Sequence, residues 1–307
     1  MTGPTRPKRD FLRLTDLSRE ELLELIERAA EWKLLGKGGP RPLSGMTLGL
    51  VFEKASTRTR VSFQVGAHQL GAHSILLSPS ETQLGRGEPI RDTARVLSRY
   101  LDALVVRTFE HHKLEEMASR ATVPVVNALT DASHPCQLLA DLLTMAERFG
   151  ADALRRGGLE VAWVGDGNNM ANSWLEACIL LGFTLRLACP TGYDPDPALV
   201  ARTGGKASVV RSPREAARGA HVVNTDVWAS MGQEAEAAVR RERFAGFIVD
   251  EALVAMADPK AIVLHCLPAH RGEEIAEAVL EGPQSAVFDE AENRLHAQKA
   301  LLELLLA

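Results

Sequence analysis

The chain has 307 residues, 46% hydrophobic and 24% charged, with a net charge of −5. That length suggests about two domains of ~150 residues each, and the composition is ordinary for a soluble globular enzyme. Both charge signs are spread along the chain, so there is no basic stripe to hold a nucleic acid, and no apolar run approaches the ~18 residues that would cross a bilayer.

Met1 to Asp10 is basic but leads into no apolar signal core, so the expected location is the cytoplasm. Ser18-Arg19-Glu20-Glu21 reads as a capping box before a helix to about Leu35, with Leu22, Leu25, Ile26 and Ala29 on its apolar stripe. Thr47 to Phe52 is an apolar strand. It runs into the polar turn Glu53 to Arg60 and a helical pattern from Val61 to Leu70. Further strands are expected at Ala72 to Leu77, Ala103 to Val106 and Val123 to Asn127, with helices at Pro89 to Tyr100, His111 to Arg120 and Gln137 to Phe149. Gly150 through Gly158 reads as a boundary or hinge. A second series then has strands at Val161 to Val164, Thr184 to Ala188, His221 to Thr225 and Ala261 to Leu264. Helices are expected up to Gly182, after the capping box at Ser212, at Glu273 to Glu281, and from Asp289 to the end. Alternating strands and helices predict an α/β fold with parallel, helix-covered sheets.

Polar clusters fall at the carboxyl ends of these strands, where open α/β sheets bind ligands. After Phe52, the hydroxyls of Ser56, Thr57 and Thr59 stand at a helix N-terminus, which attracts anions. Arg58 adds a planar fork for two oxygens of a phosphate or carboxylate. Arg58 and Arg60 point in different directions on a helix, and Arg58 is expected to face the ligand and Arg60 protein. Arg107 ends a strand and could complete an oxyanion cage. Proline at the first helical position puts His134 near an N-cap, where it and Gln137 can face one ligand. Each of these also has an ordinary reading, as a cap or a solvated charge. Their joint placement favours the functional one.

Gly165-Asp166-Gly167 after a strand invites a dinucleotide reading. The fingerprint fails at Met170, and the next strand ends in Cys189-Pro190 rather than an acidic residue. Asn168 and Asn169 are better read as hydrogen-bonding groups at a helix start. Asp226 ends a strand before the glycine-bearing loop Val227 to Gly232 and suits a substrate ammonium, or an Asx turn. Of the four cysteines, Cys178 and Cys189 read as packing residues, and no C-x-x-C pair suggests zinc. Cys266 could be a nucleophile, a metal ligand with His265, or a polarisable contact, with the contact preferred.

Together, Ser56-Thr57-Arg58-Thr59-Arg60, His134-Pro135-Cys136-Gln137, Asp226 through Ser230-Met231-Gly232, and His265-Cys266-Leu267-Pro268 resemble the aspartate/ornithine carbamoyltransferase family, nearly end to end. The Ser-Met-Gly loop resembles its ornithine branch, and Glu292-Asn293-Arg294 also fits. The resemblance implies that Ser56, Thr57, Arg58 and Thr59, with Arg107, hold the phosphate of carbamoyl phosphate. Gln83 would reach that ligand from a neighbouring subunit. Thr59, Arg107, His134 and Gln137 would surround the carbamoyl group, with Cys266, Leu267 and Arg294 completing the site. Asn169, Asp226, Ser230 and Met231 would hold L-ornithine, with Asn168 a weaker choice. No cofactor and no metal are implied, and a cis Leu267–Pro268 bond is. The implied architecture is a carbamoyl phosphate domain at 1–149, an ornithine domain at 150–286 and a C-terminal helix at 287–307 returning to the first domain. The assembly would be a homotrimer or a multiple of it. The nearest alternative substrate is another amine, such as putrescine or an acylated ornithine. More distant alternatives are a dinucleotide oxidoreductase and a non-catalytic anion-binding protein.

Overall fold

The computed structural model describes residues 7–54, 56–78, 87–229 and 234–307. It divides into two compact units, Met1–Leu139 with Arg294–Ala307, and Ala140–Asn293. In chain order the first unit runs α1 (Arg19–Leu35), β1 (Thr47–Phe52), α2 (Thr57–Leu70), β2 (His73–Leu77), α3 (Ile90–Leu97), β3 (Ala103–Arg107), α4 (His111–Arg120) and β4 (Val125–Leu129). Helix α5 (Pro135–Phe149) begins in the first unit and ends in the second. There follow α6 (Ala151–Arg156), β5 (Glu160–Val164), α7 (Asn169–Leu181), β6 (Thr184–Ala188), α8 (Pro197–Arg202), β7 (Ala207–Val210), α9 (Pro213–Ala217) and β8 (Val222–Thr225). The chain closes with α10 (Ala237–Arg243), α11 (Glu251–Val254), β9 (Ile262–His265), α12 (Glu277–Leu280) and α13 (Val287–Leu306), the last returning to the first unit at Arg294.

Both sheets are parallel, with strand orders β2-β1-β3-β4 and β7-β6-β5-β8-β9. Leu48 to Phe52 and all of β3, β8 and β9 are buried, as strands covered by helices on both faces must be. In each sheet the chain reverses its direction of travel beside one strand pair. In the first sheet these are β1 and β3, where Phe52 lies opposite Arg107. In the second they are β5 and β8, where Val164 lies opposite Thr225. A crevice opens at the carboxyl ends of such a pair.

Local chemistry explains the element ends. Ser18 and Glu21 form the expected capping box at the start of α1, a motif typically worth about 1 kcal/mol. The second half of α13 packs on α1. Lys299 is buried there, with Nζ donating to the Trp32 and Gly36 carbonyls and to Gln69, above the Trp32 ring. Glu303 takes Arg28 and Trp32 as donors.

Several expectations need correction. Helix α2 starts at Thr57 rather than Val61, α3 stops at Leu97, and the stretch expected as a hinge holds α6 between Gly150 and Gly157, both at positive φ. The helix expected over Glu273 to Glu281 shrinks to Glu277–Leu280. Upstream of it, a turn closed by Gly272 N–H donating to the Ile275 carbonyl replaces the first helical turn. Arg60 does not face protein. It is exposed, and its guanidinium donates to Gln64 on its own helix.

Candidate active site

The first cluster sits at the β1/β3 switch point. Ser56 caps α2, accepting from the Thr59 amide, so the first turn of the helix carries its free N–H groups and dipole beside Thr57 and Arg58. The buried Thr59 hydroxyl is the hub. Arg294 Nη2 donates to it at 2.6 Å and Arg107 Nη1 at 3.4 Å. Arg107 comes to the site because it ends β3, and its carbonyl also accepts from the Glu53 amide, extending the strand pairing by one residue. His134 precedes α5, with its carbonyl taking the Gln137 and Leu138 amides, and both His134 and Gln137 are buried. Burial holds the His134 imidazole well below its ordinary pKa, and the positive charges of Arg294, Arg107 and Arg58 push the same way. His134 is therefore a neutral ring among three guanidinium groups. Cys136, by contrast, is a packing thiol. Burial pushes it up to about 12, and its Sγ donates to the Asn127 carbonyl.

The second cluster sits at the β5/β8 switch point. Asp226 follows β8 almost buried, and its two oxygens are engaged differently. Oδ2 accepts from Asn168 Nδ2 at 3.1 Å, while Oδ1 accepts from the Val227 amide at 2.8 Å and from Cys266 Sγ at 3.1 Å. Asn168 is the N-cap of α7, its Oδ1 taking the Met170 and Ala171 amides, and Asn169 is the first helical residue. Burial first, and then the Asp226 carboxylate, raise the Cys266 pKa well above the ordinary thiol value. Cys266 is a thiol at neutral pH, which suits the contact role and not a thiolate nucleophile. Leu267 follows at φ +57, its amide donating to His265 Nδ1, and the Leu267–Pro268 bond is cis as expected. Gln83, Ser230 and Met231 lie outside the described residues.

The dinucleotide-like glycines have local backbone explanations: Gly165 sits at φ +140, and Gly167 packs against backbone. A Cβ on Gly167 would sit 2.2 Å from the Pro195 backbone nitrogen, and Gly167 donates its amide to the Tyr193 carbonyl. Sequence reasoning missed Arg240 and Asp166. Arg240 Nη1 donates to Asp166 Oδ2 at 2.7 Å and to the Trp228 carbonyl at 2.8 Å, with the guanidinium over the Tyr193 ring. This pair ties the loop after β5 to the loop after β8.

A family model described as the carbamoyl-P binding domain of aspartate/ornithine carbamoyltransferases matches residues 9–147, and one described as the Asp/Orn binding domain matches residues 157–305. The chain is 56% identical to the ornithine carbamoyltransferase of Halorhodospira halophila, over 97% of this chain and 99% of that one. It is also 56% identical to the anabolic ornithine carbamoyltransferase of Pseudomonas aeruginosa, over 97% of each. Among solved structures, ornithine carbamoyltransferase from Pyrococcus furiosus superposes with a TM-score of 0.91 at 48% identity, over 97% of both chains.

Proposed function

The chain belongs to the aspartate/ornithine carbamoyltransferase family, and from that premise we propose that it transfers the carbamoyl group of carbamoyl phosphate to the side-chain amine of L-ornithine. The products are L-citrulline and phosphate. The observation that carries this reading is the neutral, buried His134 surrounded by Arg58, Arg107 and Arg294 at the N-terminus of α2. Concentrated positive charge beside a helix N-terminus suits a phosphate dianion. A neutral imidazole can donate an N–H to a carbonyl oxygen without adding a fourth cation.

Ser56, Thr57, Arg58 and Thr59, with Arg107, grip the phosphate. Thr59, Arg107, His134 and Gln137 surround the carbamoyl oxygen, and family resemblance adds Cys266, Leu267 and Arg294, and Gln83 from a neighbouring subunit. The ornithine lone pair attacks the carbamoyl carbon, forming the C–N bond and a tetrahedral oxyanion stabilised by these donors; one such donor typically contributes ~10²–10³ in rate. Collapse breaks the C–O bond to phosphate, whose charge Arg58, Arg107 and the helix dipole stabilise. The departing phosphate takes the proton from the attacking nitrogen. Asp226 accepts the ammonium of the amino acid part of ornithine, with Asn169, Ser230 and Met231 around it. Asn168, already bonded to Asp226, orients that carboxylate.

The protein works as a cytoplasmic homotrimer, or a multiple of it, in the biosynthetic direction towards arginine. The name of the Pseudomonas aeruginosa relative supports the direction. Exposed Val61 and Val65 on α2, with Ile75 on the edge strand β2, support an oligomeric face. Sedimentation at three times the 33.3 kDa chain mass tests the trimer. A citrulline-formation assay with L-ornithine, putrescine and N-acetylornithine tests the activity. Turnover of L-ornithine that requires carbamoyl phosphate is expected. A folded protein that binds carbamoyl phosphate but carbamoylates none of the three would overturn the reading.

A further inference from the structure

His270, Glu273 and Glu274 lie on one tight turn between β9 and α12, and each offers a ligand atom within 4.8 Å of the other two. The turn is held by its own backbone and by the Glu274 side chain. The Glu273 amide donates to the His270 carbonyl, Gly272 to Ile275, and the His270 amide to Glu274 Oε1. Glu274 is the unusual member. Its side chain is 0% exposed, and Oε1 takes both the His270 amide at 2.5 Å and His265 Nε2 at 3.1 Å. Oε2 is equally buried yet accepts no hydrogen bond among the described residues, and it faces His270 Nδ1 at 3.8 Å. A buried carboxylate oxygen without a donor is costly. Only a proton, a donor or a cation on the His270 side can relieve it.

We propose that His270, Glu273 and Glu274 bind a divalent transition-metal ion of the zinc, cobalt or manganese type. One imidazole and two carboxylates are the donor mix such ions accept. Two carboxylates also neutralise a divalent charge, which matters beside a fully buried Glu274. Bond lengths of about 2.0–2.2 Å require the three donors to close in slightly on the ion. The movable parts permit this. His270 is 54% exposed at its side chain, and Glu273 is held by Arg241 at 2.9 Å, itself 60% exposed. Such an exposed pair is weak and yields readily. Glu274 Oε1 keeps its bond to His265, whose Nδ1 takes the Leu267 amide. The ion thereby anchors the His265 to Pro268 turn from behind.

The other candidate ligand group among the described residues, Asp226, His265 and Cys266, is the poorer site. Both Asp226 oxygens are already engaged, and Cys266 holds its proton tightly. The test titrates the full-length protein, stripped with a chelator, with Co²⁺, followed by visible d–d absorption and calorimetry. One equivalent per chain is expected, without a thiolate charge-transfer band. Binding should persist in Cys266→Ser and weaken ~10-fold or more in both His270→Ala and Glu273→Gln. These two positions are not deeply buried, and unchanged circular dichroism establishes that the variants fold. Absence of uptake would overturn the proposal. So would uptake lost in Cys266→Ser but kept in His270→Ala, or uptake indifferent to all three changes.

Discussion

The two sheets present the same architectural feature with opposite chemistry. At the β1/β3 switch point the side chains are arginines, hydroxyls and a neutral histidine around the start of a long helix. At the β5/β8 switch point the central group is the Asp226 carboxylate, supported by an amide and a thiol. The backbone geometry is shared: parallel strands, a reversal of direction, a helix N-terminus. The difference lies in a handful of side chains, and on the proposed reading it sorts an anionic substrate to one unit and an ammonium-bearing one to the other. Fold thus supplies the crevice, and charge selects what enters it.

Substitutions at the two switch points should separate their roles. Among conservative substitutions, the largest effect is expected for Arg58→Lys. Losing the two-pronged guanidinium grip should lower kcat/KM for carbamoyl phosphate by ~10²–10³, measured by citrulline formation, and near-normal activity would remove the bidentate grip from the account. Asp226→Asn keeps the shape but not the charge. It should raise the ornithine KM by ~10–100-fold while changing carbamoyl phosphate binding far less. The same substitution sharpens the comparison in a second way. With the carboxylate gone, the Cys266 pKa should fall, and iodoacetamide should modify Cys266 several-fold faster than in the parent protein at pH 8, as read by mass spectrometry.

The smallest effect is on stability, and it comes from His134. Its folded pKa is depressed, so the unfolded chain binds a proton that the folded protein rejects. The associated stability is present above about pH 6.5 and is lost as pH falls towards the folded value. Melting temperature should therefore drop more steeply between pH 7 and pH 5.5 in the parent than in His134→Gln, by roughly 2–4 °C. Equal slopes would mean that His134 is not held neutral.

Much of this was legible in the sequence because the informative segments were long or chemically marked. β1, α4 and β6 fall where their apolar runs and flanking polar residues put them, and Ser18 and Glu21 announce α1 through a capping box. The short elements were not legible. α6, α10 and α11 span four to seven residues, too few for a 3.6-residue period to repeat. The Glu273 to Glu281 stretch looked helical in composition, yet backbone bonds at Gly272 and Ile275 and the buried Glu274–His265 contact hold it as a turn. At the sites, Arg107, His134 and Asp226 could be picked out because each closes or directly follows a strand or directly precedes a helix. Arg240 could not. Its partners Asp166 and Trp228 are 74 and 12 residues away, and a link of that kind has no local signature. Gly165 and Gly167 looked like part of a cofactor motif because a positive φ at Gly165, close backbone packing at Gly167 and pyrophosphate binding all ask for glycine.

The sorting of substrates by charge is tested most directly by calorimetric titration of carbamoyl phosphate into the parent protein, Arg107→Ala and Asp226→Asn. The account predicts that Arg107→Ala abolishes measurable binding, whereas Asp226→Asn binds within about threefold of the parent, under ~0.7 kcal/mol. Equal losses in both variants, or a larger loss in Asp226→Asn, would contradict it.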